Sequence, residues 1–515
     1  MMSIKRRFVA TAAAALVSAL AFTGCSGTPQ ESTSNQEGPA TAPLLRIGAL
    51  QEPQSYDPAQ ANEGHLAPIY QAVYDTLIKR EADGALSPML ATSWEPGQDG
   101  LSYTLKLREG VKFTDGEAFD SAAVKANVEH FKKANGPLAS SMDSVVGVET
   151  PDTTTAVLKL SEADPGLPYS LTNAAGYMGS PKALETTGIK TNPVGSGPYV
   201  LDVANTVAGS KITMTRNADY WGDKLPYDKV EFQVLAEETA RLNALKSGQV
   251  DAAVFQRTAT AAEAEGAGLL HKPYATNWEG IWFFDRDGTK MPQLKDVRVR
   301  EALSLAIDRE ALLQSVGLGK GELTSQTFGP ATQGYDQALD GKYAYDPDRA
   351  RELLKEAGAE NLAVTLPVSQ AFDPSIYDGI EQNWKDVGVN VTRHQWAPGT
   401  AIASMLRGEF SVAYMSLVQR DDWRHIQLLL APNATWNPFK TERPEIDELI
   451  TKAQTGDEKA IAEAAKEINK IVVDEYWFSP IYRLEQHFYH NDKVDVQNQA
   501  EQAVPSIYNY KPTGK

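Results

Sequence analysis

Leu101-Ser102-Tyr103-Thr104-Leu105-Lys106-Leu107-Arg108-Glu109-Gly110-Val111-Lys112-Phe113-Thr114-Asp115-Gly116 opens with Tyr103, Leu105 and Leu107 alternating against Thr104, Lys106 and Arg108. A period of two is the mark of a half-buried strand. Gly110 allows a turn into Val111 and Phe113, which predicts a hairpin. Outward along the chain, Ala156, Leu158 and Leu160 alternate in the same way, as do Val230, Phe232 and Val234. Helices are written between such runs. Asp346-Pro347 is a capping side chain followed by proline at the first helical position, Ala350, Leu353, Leu354 and Ala357 share one face, and Gly358 ends it. Asp457 caps a second helix whose apolar side is Ile461, Ala464, Ala465, Ile468 and Ile471. Strands and helices interleaved over the whole length predict α/β lobes.

The same hairpin stands within an ordered series of blocks. Before it come Gln51-Glu52-Pro53-Gln54-Ser55-Tyr56-Asp57-Pro58, then Val73-Tyr74-Asp75-Thr76-Leu77, then Leu86 to Glu95. After it come Pro193-Val194-Gly195-Ser196-Gly197-Pro198-Tyr199, Arg216 to Gly222, Arg241 to Asp251, and Asp296 to Arg309. In this order the blocks resemble the peptide- and nickel-type solute-binding proteins of ABC importers, extracellular solute-binding family 5, from Leu44 to Tyr489. Locally the glycines at 110, 116, 195 and 197 read as backbone freedom at turns, and Arg298, Arg300 and Asp308 as ion pairs on a helix.

The resemblance implies a two-lobed periplasmic-binding-protein fold with a hinge and an extra subdomain in the first lobe. Lobe one is expected over 44–279 with its subdomain at about 70–192, lobe two over 280–485, and a return to lobe one over 486–515. Hinge strands are expected near 281–284 and 481–484. A solute bound between the lobes touches both only when they close, so it shifts the population towards closure.

In peptide-binding members of the family, an aspartate of the second lobe pairs with the ligand's α-amine. The corresponding segment is Tyr414-Met415-Ser416-Leu417-Val418-Gln419-Arg420-Asp421-Asp422-Trp423, where Arg420 takes the aspartate position and Asp421 and Asp422 are displaced by one and two. If Asp421 or Asp422 enters the cleft, peptide recognition survives; if Arg420 does, an anionic group is favoured. A hydrogen bond to a charged group contributes about 1.5–3 kcal/mol, so the choice governs ligand class. Flat aromatic walls are expected from Trp396, Trp423 and Trp436, with Asn437 beside them and Trp278 on the strand entering the hinge. His487 and His490 approach each other only on a helix, and their segment reads as a strand, so we assign no metal and no cofactor.

The N-terminus reads as an address. Lys5, Arg6 and Arg7 precede the apolar run Phe8 to Ala21, and Phe22-Thr23-Gly24-Cys25 follows. A basic start, a short apolar run and small residues form a secretory signal over 1–24, and the run falls short of the about 20 residues that span a bilayer. Cys25, the 1 cysteine of the chain, stands as in the bacterial lipobox and is the expected lipidation site. The Ser-, Gly- and Pro-containing segment over 25–43 reads as a flexible tether. The formal net charge of -18 excludes a nucleic-acid or anionic-membrane footprint and favours a monomer. A lipid-anchored hydrolase is the main rival, but the chain has no His-Glu-x-x-His, no Gly-x-Ser-x-Gly and no P-loop. The expected role is therefore solute capture outside a membrane, with permease subunits as partners and a peptide or peptide-like solute as cargo. A nickel chelate or sugar is the alternative cargo, and reporting to a sensor the alternative destination.

Overall fold

The computed structural model describes residues 42–61, 64–369, 372–396 and 401–514. The expected signal, Cys25 and the tether as far as position 41 lie outside these residues. The first strand, Ala42–Ala49, begins within the stretch expected to be tether.

Two large sheets organise the chain. In the first, the spatial order is His487–His490, Ala252–Phe255, Ala42–Ala49, Tyr227–Val234, Lys211–Arg216 and Tyr199–Leu201. Ala42–Ala49 runs parallel to both of its neighbours, and the outer pairings are antiparallel. The second sheet is antiparallel throughout, in the order Gly321–Leu323, Phe478–Leu484, Asn277–Phe283 and Val412–Val418. A smaller antiparallel sheet of Ala91–Pro96, Ser102–Leu107, Thr155–Leu160 and Val145–Asp152 is built as an insertion between strands of the first. Ser102–Leu107 is the strand read from Tyr103, Leu105 and Leu107, all three buried. Its partners are Ala91–Pro96 and Thr155–Leu160, not Val111 and Phe113. Those two residues instead close a tight loop in which Lys112 bridges Ala118.

Alternation along the second sheet separates its two faces. Ile281, Phe283, Tyr414 and Tyr482 pack with the helices around Leu303, Leu353 and Ile380. Trp278, Trp282, Ala413, Met415 and Phe478 pack on the opposite side with Ile426, Trp436 and Ile468. The helices end as their sequence dictates: Asp346 caps Pro347–Glu356, Asp457 caps Glu458–Asp474, and Gly358 follows the first with φ +65°. Arg300 departs from the ion-pair role expected of it. It is buried, and its guanidinium donates to the carbonyls of Leu294, Glu475 and Tyr476. Gly195 and Gly197 also have a different cause from the one expected. A Cβ on Gly197 would lie 2.6 Å from the carbonyl carbon of Val73, and one on Gly195 2.0 Å from the Val73 oxygen. Close backbone approach demands glycine there.

The chain crosses between the two large sheets at two adjacent places. Gln419 N donates to Thr276 O, Gln486 N donates to Tyr274 O, and Ala275 bridges Glu485. The segments 281–283 and 481–484, within the stretches expected as hinge strands, lie in the second sheet, where Asn277–Phe283 pairs with Val412–Val418 and Phe478–Leu484.

Candidate functional site

A cavity of about 500 Å³ lies where the crossing segments meet both sheets. The first sheet and its insertion supply His65, Arg80, Asn173, Phe255, Gln256 and His487; the crossings supply Thr276 and Glu485, and the adjoining end of the strand Asn277–Phe283 supplies Asn277 and Glu279. Lobe two supplies Val418, Gln419, Arg420 and Arg424, and the C-terminal segment supplies Glu501 and Gln502. A second cavity of about 340 Å³ shares Arg420 and Arg424 and continues between Leu138–Ser170 and Gln427–Thr435. The lobes touch beside it. Gln454 Nε2 donates to Ala163 O at 3.2 Å, and Gly166 leaves room for Trp423 and Arg424.

The strand Asn277–Phe283 shows why these residues face the cavity. Asn277 and Glu279 share the face of Ile281, and beyond the end of the core that face opens into the cavity. Trp278 points the other way. It is fully buried and stacked on Trp282 at 5.2 Å, so it is a core residue and not a cleft wall.

The other expected wall residues have the same fate. Trp436 packs edge-on to Trp282, Trp396 edge-on to Phe410, and Trp423 is buried in that lobe-two core. Asn437 accepts from Arg286 at 2.8 Å and bonds the backbone of Ala431 and Thr441, so all of its polar capacity holds a loop. None of these five residues lines the cavity.

The two displaced aspartates are structural as well. Asp421 caps the helix Asp422–Leu429 through Arg424 N, and its Oδ2 is buried without a hydrogen-bond partner. Burial pushes its carboxyl up to about 7, against the nearby Arg424. Asp422 accepts from the backbone of Gln333 at 3.0 Å and Gly334 at 2.7 Å, which anchors the preceding loop to the helix. Arg420 alone of the eight expected binding residues reaches the cavity.

The cavity is polar and carries both signs of charge. Arg80 pairs with Glu501 at 2.7 Å, and Arg424 lies 3.9 Å from Asp421. Burial pushes the His487 imidazole down to about 4 and lowers that of His65, so both are neutral at pH 7. His65 Nδ1, His487 Nδ1, Gln419 Nε2 and Gln502 Oε1 are buried without a hydrogen-bond partner, and all four belong to residues that line the cavity. Buried polar atoms are ordinarily satisfied, so such a concentration marks a place where a polar solute can supply the missing partners. His487 and His490 do not converge, since an odd separation on a strand puts them on opposite faces.

Two sheets, two adjacent crossings and a polar cavity between the lobes define a two-lobed solute-binding protein. The chain belongs to the bacterial extracellular solute-binding proteins, family 5, whose middle region matches residues 85–466. The glutathione-binding protein GsiB of Escherichia coli O1:K1 / APEC is 32% identical over 318 residues, covering 59% of each chain. The aligned part thus spans about three fifths of the length of that curated relative. Among solved structures, HbpA2 from Haemophilus parasuis superposes with a TM-score of 0.81 at 21% identity, over 91% of this chain and 100% of that one. NikA from Brucella suis, in complex with Fe(III)-EDTA, superposes with a TM-score of 0.78 at 23% identity, over 92% and 100%. At such identities the likeness establishes the fold.

Sequence reasoning missed Arg80, Glu501, His65 and Gln502, which come from distant parts of the chain and carry no motif, and passed over Gln419 beside Arg420 in the displaced binding segment. Glu279 did leave a signal. It is a charge inside the apolar run Trp278 to Phe284.

Proposed function

We propose that the protein captures a small peptide or peptide-like solute between its lobes and delivers it to the permease of an ABC importer. The observation that carries this is the polar cavity of about 500 Å³, lined by both lobes and both crossings and bearing charges of both signs. That volume falls within the range of small-molecule sites, about 300–1,000 Å³. A zwitterion matches such a lining better than a neutral sugar does. Glutathione, which names the Escherichia coli relative, is a tripeptide of this kind. In this reading lobe one comprises 42–276 and 486–515, lobe two 277–485, and an N-terminal lipid on Cys25 holds the protein at the outer face of the membrane. The solute leaves chemically unchanged.

A metal chelate is the second reading, favoured by three arginines on the cavity and by the Fe(III)-EDTA complex of the Brucella suis structure. Thermal-shift titration of the tether-trimmed protein separates the two readings. Peptides of two to five residues should raise the melting temperature. Stabilisation by nickel or iron chelates and by no peptide would replace the first reading with the second. Recovery of the peptide intact after incubation checks that no hydrolysis occurs.

A further inference from the structure

Among the described residues, Glu279 is the cavity carboxylate that forms no salt bridge. Arg80 is paired with Glu501, and His271 lies 3.6 Å from Glu485. Around Glu279, Tyr414 donates from its hydroxyl at 2.5 Å, and Ser416, directly across the strand pair, donates as well. The Tyr414 hydroxyl in turn lies 3.2 Å from that of Tyr482. No lysine, arginine or histidine among the described residues forms a salt bridge with Glu279, and burial raises its carboxyl above the ordinary range. The two hydroxyl donors favour the anion but burial outweighs them, so the arrival of a counter-charge favours ionisation of this carboxyl. Its exposed edge belongs to the cavity wall.

We infer that Glu279 receives the ammonium group of the bound solute, taking the role the sequence had suggested for Asp421 or Asp422. The inference rests on the peptide reading above and makes it more specific. The site is held in shape before the solute arrives. Glu279 stands in the strand next to a crossing, its donor Tyr414 is fixed in the core and Ser416 in the adjacent strand, and only the cationic partner is missing. An ammonium entering there gains a charge-assisted bond and relieves the buried carboxylate in one step. Solutes without a cation leave the carboxylate uncompensated and bind weakly.

The test compares the wild type with Glu279→Gln and Glu279→Asp, using lysine- and arginine-free peptides of two to five residues, free and N-acetylated. A third set carries lysine and is N-acetylated. The wild type should be stabilised by the free peptides and not by the acetylated lysine-free set. In Glu279→Gln the affinity for free peptides should fall about ten- to hundred-fold, while the ligand-free protein melts at the same or a higher temperature. That pair of opposite effects would not follow from a merely structural role. Glu279→Asp keeps the charge and should lose less affinity, and it carries the comparison if the glutamine variant does not fold. Binding of the acetylated lysine set shows that any ammonium is accepted; its failure restricts the site to the α-ammonium, and either result supports the assignment. Equal affinity of wild type and Glu279→Gln for free peptides would overturn the role of Glu279 and leave peptide capture standing. Absence of stabilisation by every peptide set would overturn both.

Discussion

At the scale of single residues, Asp75 shows how a burial decision becomes a pH dependence. It is fully buried, and it accepts from Ser196, Tyr220, Trp221 and Tyr508 with no salt bridge among the described residues. Burial pushes its carboxyl up to about 6, against the lowering effect of these donors. A folded-state value above the unfolded one means stability that is fully present below about pH 4 and lost as pH rises through about 6, at most about 3 kcal/mol. His487, held down to about 4, works in the opposite sense and destabilises the fold as pH falls below 6.5. Asp75→Asn isolates the first effect, because the two tyrosine hydroxyls can turn to accept from the amide. Urea unfolding at pH 4.5 and 7.5 should give a variant-minus-wild-type difference that favours the variant at the higher pH. A difference independent of pH would contradict the assignment. Trp278 tests the core reading at the same scale. Trp278→Ala should cost about 3–5 kcal/mol in urea unfolding, whereas a cleft residue of that size would lose affinity and little stability.

At the scale of elements, the loop leading into the helix Asp422–Leu429 replaces an expected binding motif with a capping arrangement. Asp422→Asn removes one of two acceptors for the Gln333 and Gly334 amides, which should cost about 1–3 kcal/mol in urea unfolding. Peptide affinity measured by calorimetry should change less than three-fold; a hundred-fold loss would restore Asp422 to the site. Gly197 makes a second test. Alanine would set its Cβ 2.6 Å from the Val73 carbonyl carbon and 2.8 Å from Tyr74 N, both backbone atoms that cannot turn aside. Gly197→Ala should therefore lower the melting temperature markedly or prevent folding, whereas a glycine kept only for turn flexibility would tolerate alanine with φ negative. Much at this scale was legible beforehand. The strand Ser102–Leu107 and the helices capped by Asp346 and Asp457 stand where periodicity and capping residues placed them. The hairpin partner was misread, because periodicity identifies a strand and says nothing about which other strand it pairs with.

At the scale of the whole molecule, the lobes also meet where Gly166 and Ala163 face Trp423, Arg424 and Gln454. Gly166 lies against Trp423 and Arg424, and a Cβ there would stand 2.9 Å from Arg424 Cγ and 3.1 Å from Trp423 Cδ1. Gly166→Val should wedge the seam, so that closure draws on more of the binding energy and apparent affinity falls by the reduced population of the closed form. Small-angle scattering should show a larger radius of gyration for the ligand-free variant than for the wild type. An unchanged radius together with weaker binding would trace the effect to Arg424 instead.

The blocks from Gln51 to Arg309 determined family and fold by themselves, because turn residues, caps and alternating runs are local and each leaves its mark in neighbouring positions. The cavity is a different kind of object. Arg80, Glu279, Gln419, His487 and Glu501 converge only after two sheets pair and the chain crosses between them twice. Which face of a strand opens into that cavity depends on where the core beneath it ends. A one-residue difference along Trp278 and Glu279 separates a tryptophan locked in the interior from a carboxylate at the site, and only the tertiary structure could decide which was which.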